Sequence, residues 1–193
     1  LVLDRDGERR YIRVPQQVAV GDGIITSAEA KPKAGNRLPL GKIPVGTFIF
    51  NIELKPGAGA RIARSAGNYA EVVAQDAGYT LVKLPSSEVR KIISTAWASI
   101  GAVSNEEYRL VKSGKAGRAR HLGIRPKTRG SAKNAVDHPH GGGEGRSPRG
   151  HRRARTKQGR PVGKGQKTRS PKKFSNKFIV SRRKPGRLMR GQS

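Results

Sequence analysis

The first half of the chain alternates apolar and polar residues over short runs, as in VGTFIFNIEL (residues 45–54). One face of this run holds the apolar side chains Phe48, Phe50, Ile52 and Leu54. The other face holds the polar side chains Thr47, Asn51 and Glu53. Because successive side chains of a strand point to opposite faces, the pattern predicts one half-buried strand, interrupted only by Ile49.

Three later runs are also typical of short strands: NYAEVVAQD (68–76), YTLVKLP (79–85) and EVRKIIS (88–94). Asp76-Ala77-Gly78 predicts a tight connection between the first two of them. Upstream of residue 45 the chain is polar and is broken by Pro32, Gly35 and Pro39. Short strands at this spacing predict a small barrel rather than a parallel sheet.

The beginning of the chain has the pattern of a β-hairpin. LVLD and ERRYIRV flank Asp6-Gly7, a pair typical of hairpin turns, and Pro15 ends the second strand after the alternation of Tyr11–Val14. One helix is predicted further on. Ser104–Glu107 fits a capping box and leads into a short helix that ends by Gly114.

Charge divides the chain more sharply than hydrophobicity does. The 193 residues carry a formal net charge of +28, and residues 112–193 contain 26 Lys+Arg but only two acidic residues, Asp137 and Glu144. Such a segment cannot bury enough apolar surface to offset its ordering entropy, so we expect it to need a polyanion for order. From Gly145 onwards the chain is almost without apolar periodicity, interrupted only by Phe174 and 178–180. These residues either dock as a short strand or bury against a folded surface; a disordered tail is the alternative.

The same charge makes nucleic acid the first partner to consider. An anionic membrane surface is the weaker alternative, since the chain has no long apolar run and no basic amphipathic helix. The absence of cysteine excludes disulfides, thiolate zinc sites and cysteine nucleophiles, but does not fix the compartment. The chain starts at Leu1 within a predicted strand, so no targeting segment is visible.

Two basic segments are candidate phosphate-binding surfaces. KPGAGARIARSAG (55–67) carries Arg61 and Arg64 beside a glycine turn, for which a solvated barrel loop is the alternative interpretation. The second, SGKAGRARHLGIRPKTRGSAKN, has cations among glycines: Lys115, Arg118, Arg120, Arg125, Lys127, Arg129 and Lys133. Guanidinium groups bind phosphates bidentately, and glycine lets backbone amides approach closely. A solvated charge run is the alternative there.

VDHPHGGGEGR (136–146) invites three chemical interpretations that its context disfavours. A zinc site needs four ligands, and the only other histidines are His121 and His151. Asp137 and His138 are neighbours, whereas catalytic triads are assembled from distant positions, and the cationic surroundings predict a neutral His138. The glycines fit neither dinucleotide nor Walker motif. We therefore predict no catalytic residue, metal or cofactor.

VDHPHGGGEGR, with GKAGRARHLGIRPKTRGSAKNA before it and KTRSPKKFSNKFIVSRRK after it, closely resembles the family of large-subunit ribosomal protein two (the L-two family) of bacterial and organellar type. Upstream, GERRYI, the stretch from GNRLPL to RSAGNY and SNEEYRLVKSGKAGRAR fit the same family in order. The resemblance covers nearly the whole chain.

The resemblance implies a mainly β fold: a partial OB-fold hairpin (1–28), an SH3-like small β-barrel with a short terminal helix (29–111) and a long irregular basic extension (112–193) that penetrates rRNA. It implies a non-catalytic structural constituent of the large ribosomal subunit, a primary rRNA binder near the peptidyl transferase centre. Such a protein supports subunit association, tRNA binding and translation, while rRNA carries out peptidyl transfer.

The implied partners are large-subunit rRNA, neighbouring ribosomal proteins and the small subunit at the subunit interface; no membrane is implied. In this family the histidine matching His138 is associated with peptidyl transfer activity, and we expect it to support RNA structure. The residues assigned to rRNA binding are Arg61, Arg64, Lys115, Arg118, Arg120, Arg125, Lys127, Arg129, Lys133, His138, His140, Gly141, Gly142, Gly143, Arg146, Lys167, Arg169, Lys177, Arg182 and Arg183.

The chain also departs from the family pattern. Lys133 and Ala135 stand where many members have methionine and proline, and SPRGHRRARTKQGRPVGKG replaces a tryptophan-containing segment after Arg146. Residues 1–28 supply only the last hairpin of an OB-fold, so we expect either an omitted segment or a separate chain with the first strands paired at residues 1–14. Because split forms of this protein occur in mitochondria, a mitochondrial matrix ribosome is the preferred setting; chloroplast and bacterial cytoplasm are the alternatives.

Two other function classes remain open at this point. A free nucleic-acid-packaging protein should bind duplex DNA and rRNA equally well, and a histidine-dependent enzyme should turn over without RNA. The glycines of residues 141–143 are interpreted as backbone that passes close to RNA and adopts positive φ where needed. Pro139 is expected to hold His138 extended toward that surface.

Overall fold

The computed structural model of the chain describes residues 1–145, 149–163 and 168–183. Contacts group them into two units. The sheet unit comprises Leu1–Val111 with the segment from Phe174 onward, and the basic unit comprises Lys112–Lys173. The three-domain division with boundaries at residues 28 and 111 stays a prediction.

The fold is mainly β, as the sequence predicted. Within the described residues the strands are β1 (Val2–Leu3), β2 (Arg9–Arg10), β3 (Arg37–Pro39), β4 (Phe48–Phe50), β5 (Ile52–Glu53), β6 (Ala60–Ile62), β7 (Ala70–Asp76), β8 (Tyr79–Lys83), β9 (Val89–Ile93), β10 (Trp97–Ile100) and β11 (Ile179–Ser181). The α-helix is α1 (Ala116–His121), and the 3-10 helices are Leu40–Lys42, Glu106–Leu110, Gly130–Ala132 and Phe174–Phe178.

Seven strands form one antiparallel sheet in the order β11-β9-β8-β7-β4-β10-β3. The pairs β1-β2 and β5-β6 form separate two-stranded sheets. The core of the sheet unit is aliphatic and consists of Leu38, Leu40, Ile43, Ile49, Ile52, Ala70, Val72, Val82, Ile92, Ala96, Ala98 and Ile100. Burial of such side chains stabilises a fold by about 1.5–3 kcal/mol each for the larger ones.

The three strands predicted from residues 68–94 are confirmed as β7, β8 and β9. Their buried positions alternate with more exposed ones, as in β8, where Thr80 and Val82 are buried. Ala77 (φ 42°) and Gly78 (φ 79°) form the predicted tight turn, and Asp76 pairs with Tyr79 across it. Two consecutive residues with positive φ are the signature of the turn that matches the twist of a hairpin.

The prediction of one strand over residues 45–54 was wrong in its continuity and in its faces. Asn51 adopts a left-handed conformation (φ 48°) and separates β4 from β5. The break changes the alternation, so Ile49 and Glu53 are buried whereas Phe48 is 48% exposed. A single residue with positive φ rotates the chain and cannot be recognised from the alternation of residue types.

Two strands of the main sheet were not predicted. β3 lies in the stretch interrupted by Pro39, and β10 follows the last predicted strand. β10 pairs with both β3 and β4, so it lies inside the sheet. Its residues Ala98, Ser99 and Ile100 are all buried. A strand covered on both faces has no alternation to detect.

The N-terminal hairpin is confirmed in its turn and wrong in its length. Val2 pairs with Arg10 and Leu3 with Arg9, and Gly7 has φ 86°. Residues 11–14 are in no strand, and Tyr11 is 90% exposed. The segment that follows the hairpin is instead bonded to a distant part of the sheet unit: the Ser104 N–H donates a 3.0 Å hydrogen bond to the Val14 carbonyl.

The predicted capping box does not form. Asn105 precedes the 3-10 helix Glu106–Leu110 in a left-handed conformation (φ 61°) and makes no side-chain cap. The Glu106 carboxylate accepts a 3.0 Å hydrogen bond from the Gln16 side-chain amide. A helix therefore forms at the predicted place, but it is held by contacts with distant residues.

Of the apolar residues near the C-terminal end of the chain, Ile179 and Val180 dock as a short strand, which was one of the expected outcomes, whereas Phe174 is exposed in the preceding 3-10 helix. β11 pairs with β9 through Ile179 opposite Arg90 and Ser181 opposite Val89. The described residues of the basic unit, in contrast, contain no buried residue. Nowhere in the described ranges is there a helix with the length and apolarity needed to cross a membrane.

Candidate nucleic-acid interface

The residues predicted to bind rRNA are distributed over both units. The sheet unit holds Arg61, Arg64, Lys177, Arg182 and Arg183. The basic unit holds Lys115, Arg118, Arg120, Arg125, Lys127, Arg129, Lys133, His138, His140, Gly141, Gly142, Gly143 and Arg169. Arg146 and Lys167 lie outside the described residues.

Arg61 is exposed on β6, after the glycine turn of the β5–β6 hairpin. The turn is anchored by the buried carboxylate of Glu53, which accepts hydrogen bonds from the Gly57 N–H (3.3 Å) and the Trp97 N–H (3.2 Å). The same carboxylate pairs with Arg37 at 3.1 Å. Sequence reasoning placed Glu53 on a polar face and so missed this role.

Arg64 is exposed in the loop that follows β6. Its carbonyl accepts a 2.8 Å hydrogen bond from Nε of Arg13, which is also exposed. Two cationic residues distant in sequence are thus neighbours without a carboxylate between them. Arg13 was not predicted as a candidate. The one feature of the sequence that could have indicated it is its position as a charged residue within the apolar run Tyr11–Val14.

The candidates of the last described segment lie next to the sheet. Lys177 is in the 3-10 helix Phe174–Phe178, with its ammonium 5.2 Å from the centre of the Phe178 ring. Arg182 donates a 3.3 Å hydrogen bond to the Asn176 side chain. Arg183 is exposed. These cations therefore have defined positions on the sheet unit.

Three candidates of the basic unit are associated with helix α1, which was not predicted. Lys115 precedes the helix, and Arg118 and Arg120 lie within it, all exposed. Carbonyls of Arg118 and Arg120 accept the capping hydrogen bonds of the Leu122 and Gly123 N–H groups. With Gly117 inside it and only six residues, the helix gives little local signal.

The cations that follow α1 are exposed and irregular: Arg125, Lys127 and Arg129. Across the described part of the chain the ion pairs join Arg10 to Asp4 and Glu8, Arg37 to Glu53, Lys83 to Glu71, and Arg90 to Glu88. In the described part of the chain, no lysine or arginine from Lys115 to Lys133 takes part in an ion pair. The arginines and lysines of this segment are available to an external polyanion.

The histidine motif forms two successive turns. The Asn134 carbonyl accepts hydrogen bonds from the Asp137 N–H (3.0 Å) and the His138 N–H (3.2 Å). The His138 carbonyl then accepts the Gly141 N–H at 2.8 Å, with Pro139 next to the turn start. Pro139 occupies the second position of this turn, where proline is favoured because its φ is fixed.

Close packing within the motif requires some of its glycines. A Cβ on Gly141 would collide with the carbonyls of Lys133 and Asn134, and one on Gly142 would be 3.0 Å from the Ala135 Cβ. Gly142 and Gly143 have φ of 79° and 90°, which confirms the expected positive φ. At Gly141 and Gly142 the protein itself supplies a reason for glycine, while close approach to RNA stays a prediction.

Gly130 supports the first histidine. A Cβ there would be 2.5 Å from Cε1 of His138, so the imidazole lies directly against the glycine backbone. Nδ1 of His138 accepts a 3.0 Å hydrogen bond from the His140 N–H. His138 is thus only partly exposed and one of its ring nitrogens is engaged inside the protein.

His140 links the motif to a later segment. Its Nε2 accepts a 3.0 Å hydrogen bond from the Arg155 N–H, and its ring centre lies 4.7 Å from that of His138 and 6.3 Å from that of His151. Partial burial lowers the pKa of His140, and electrostatic repulsion from the neighbouring groups, including the guanidinium groups of Arg149 and Arg155, lowers it further. We conclude that His140 is neutral at neutral pH, with its proton on Nδ1.

The described residues contain no group of three or more histidine, aspartate and glutamate side chains placed to hold a metal ion. The nitrogens Nδ1 of His138 and Nε2 of His140 already accept backbone hydrogen bonds. The arrangement suits positioning of the polypeptide and of cations more than acid–base chemistry.

Comparison with known proteins agrees with the resemblance found in the sequence. Residues 33–159 match the family described as Ribosomal Proteins L2, C-terminal domain. The chain belongs to the ribosomal protein L2 family. The L2 match covers the candidates from Arg61 to Gly143 and ends before Arg169 and Lys177.

Two relatives carry the name large ribosomal subunit protein uL2. The protein of Parabacteroides distasonis is 51% identical over 184 residues, and that of Bacteroides thetaiotaomicron is 53% identical over 184 residues. Each comparison covers 95% of this chain and 66% of the relative. The chain therefore spans about two thirds of the length of these L2 relatives.

Proposed function

We propose that this L2-family chain is a structural, rRNA-binding constituent of the large ribosomal subunit. The observation that carries the proposal is the run of exposed cations from Lys115 to Arg129, none of which pairs with a carboxylate in the described residues. Phosphate contacts position a protein on RNA and release counterions, so binding should be strong and should depend steeply on salt.

The finer role follows from the family. We propose that the basic unit lies near the peptidyl transferase centre and supports subunit association, tRNA binding and translation. The protein is non-catalytic in this proposal, because Nδ1 of His138 and Nε2 of His140 already accept backbone hydrogen bonds. Peptidyl transfer belongs to the rRNA, and His138 supports the shape of the loop that meets it.

The proposed partners are large-subunit rRNA, neighbouring ribosomal proteins and the small subunit at the interface. Pairing of residues 1–14 with a separate chain stays a prediction. The proposed localisation is the ribosome. The mitochondrial setting has no support from the two relatives, both of which are bacterial, and it too stays a prediction.

The test compares two triple variants of the full chain in binding to large-subunit rRNA. Arg118→Gln/Arg120→Gln/Arg125→Gln removes three charges from the candidate interface. The matched control Arg5→Gln/Arg9→Gln/Arg109→Gln removes three exposed arginines of the sheet unit. We expect the slope of log K against log salt to decrease in magnitude by about 2–3 in the first variant only, since each phosphate contact contributes about 0.7–0.9.

Equal slopes for the two variants would contradict the proposed interface. Equal affinity of the unmodified chain for duplex DNA and for rRNA would favour the nucleic-acid-packaging alternative. Both outcomes are measured in the same filter-binding series.

A further inference from the structure

The basic unit has a cationic concavity that sequence reasoning did not assign. It has a volume of about 470 Å³ and is lined by Gly150, His151, Arg152, Arg153, Arg155 and Pro161. Three arginines and a histidine are among its lining residues, and none of the described lining residues carries a carboxylate. Such a surface attracts anions, and arginine forks match the geometry of phosphate oxygens.

A short hairpin shapes this concavity. The Thr156 N–H donates to the Arg160 carbonyl at 2.9 Å, and the Val162 N–H donates to the Ala154 carbonyl at 2.8 Å. Gly159 closes the turn with φ 77°. The family match ends at residue 159, within this hairpin.

Arg155 is held in place from two sides. Its Nη1 donates a 3.3 Å hydrogen bond to the Gly159 carbonyl, and its backbone N–H donates to Nε2 of His140 at 3.0 Å. A guanidinium has five N–H donors, so most of its donors remain for a ligand. In the folded basic unit these two hydrogen bonds fix the position of Arg155 beside the concavity.

We propose that the concavity at residues 150–161 is a binding site for backbone phosphates of an RNA strand, held in its binding form by the hydrogen bond from Arg155 to His140. The proposal rests on the proposed rRNA-binding function. His140 acts here as a positioning residue, and His138 fixes His140 in turn by accepting its N–H at 3.0 Å.

The link between His140 and Arg155 requires an unprotonated Nε2. The pKa of His140 lies below its ordinary value because of partial burial and because Arg149 and Arg155 place positive charge near it; His138 and His151 are its other titratable neighbours. A group whose pKa is lowered in the folded form contributes stability that is present at higher pH and is lost as pH falls through the lowered value. Acid should therefore release the hairpin, even though it adds positive charge.

The first experiment uses the absence of cysteine from the chain. Two single-cysteine variants of the full chain are made, Lys157→Cys in the hairpin and Lys112→Cys at the start of the basic unit. An Fe(II)-EDTA group is tethered to each cysteine, and each labelled chain is bound to large-subunit rRNA. We expect hydroxyl-radical cleavage of the RNA from both positions, confined to a few nucleotides for Lys157→Cys. Cleavage from Lys112→Cys alone overturns the new site and leaves the proposed function standing; cleavage from neither overturns both.

The second experiment tests the arginines. In the Lys157→Cys background, Arg152→Gln/Arg153→Gln/Arg155→Gln should reduce the RNA cleavage by about tenfold or more, because three charge-assisted phosphate contacts are lost. The control Arg5→Gln/Arg9→Gln/Arg109→Gln should leave the cleavage unchanged. Equal cleavage in the two variants overturns the assignment of these arginines.

The third experiment tests the positioning role of His140. His140→Leu removes the acceptor and should weaken the cleavage from Lys157→Cys, whereas His140→Gln keeps an acceptor and should restore it. Between about pH 7.5 and about pH 5 the cleavage should fall with His140 and stay level with His140→Gln, which does not titrate. Cleavage that rises in acid in both proteins would show simple charge attraction and overturn the link.

Discussion

At the scale of the residue, Glu53 shows how a buried charge organises a binding loop. Its side chain is 9% exposed and accepts hydrogen bonds from Arg37, the Gly57 N–H and the Trp97 N–H. A buried carboxylate is stable only when its oxygens are satisfied, and here three donors from separate segments satisfy it. The turn that precedes Arg61 is fixed as a result.

Glu53→Ala should therefore lower the free energy of unfolding by about 3 kcal/mol, since it leaves the guanidinium of Arg37 without its partner. Urea denaturation followed by the fluorescence of the single tryptophan, Trp97, measures this change. Glu71→Ala breaks the exposed pair with Lys83 and should cost less than about 1 kcal/mol. A loss for Glu53→Ala as small as that of the control would contradict the role given to Glu53.

At the scale of the element, the β7–β8 hairpin combines a regular alternation with a turn that one residue fits poorly. Gly78 adopts its positive φ without cost, but Ala77 has a Cβ and φ 42°. A left-handed conformation costs an ordinary L-residue about 1–2 kcal/mol. Asparagine is favoured at this turn position.

Ala77→Asn should stabilise the chain by up to about 1 kcal/mol, because asparagine tolerates the left-handed conformation better than alanine does. Urea denaturation measures this gain: the midpoint should increase while the dependence of the unfolding free energy on urea concentration stays the same. Ala58→Asn, at an exposed turn position where φ is negative, serves as the control and should give no increase. A gain of equal size at both positions would rule out the turn as the cause.

At the scale of the whole molecule, the two units differ in what holds them together. The buried residues of the described chain all lie in the sheet unit. The described part of the basic unit has hydrogen-bonded turns, the six-residue helix α1 and a short 3-10 helix, and most of its described cations are exposed. Its order should therefore depend on a polyanion, because little apolar burial offsets its conformational entropy.

Hydrogen exchange measured by mass spectrometry on the full chain should show this difference. Peptides from β7–β9 should be protected with and without large-subunit rRNA, whereas peptides from residues 113–134 should be protected only when the rRNA is bound. The β7–β9 peptides are the internal control in each sample. Equal protection of residues 113–134 in the free and the bound chain would contradict the proposed coupling of order to RNA binding.

The sequence by itself determined the three consecutive strands β7, β8 and β9, the basic character of residues 112–193 and the family. These properties are local or additive: alternation and turn residues act over a few positions, charge sums along the chain, and the family motif is a contiguous string. They also indicated a polyanionic partner, because net charge does not depend on how the chain folds.

Only the tertiary structure decided the break at Asn51, the burial of Glu53, the strand Trp97–Ile100 and the link from His140 to Arg155. Each depends on contacts between residues far apart in sequence, and the alternation of residue types carries no information about such partners. VDHPHGGGEGR shows the difference most clearly. Its residues predicted positive φ where the glycines need it, but only the fold showed that Gly141 packs against the Lys133 and Asn134 carbonyls and that His140 accepts a hydrogen bond from the Arg155 N–H.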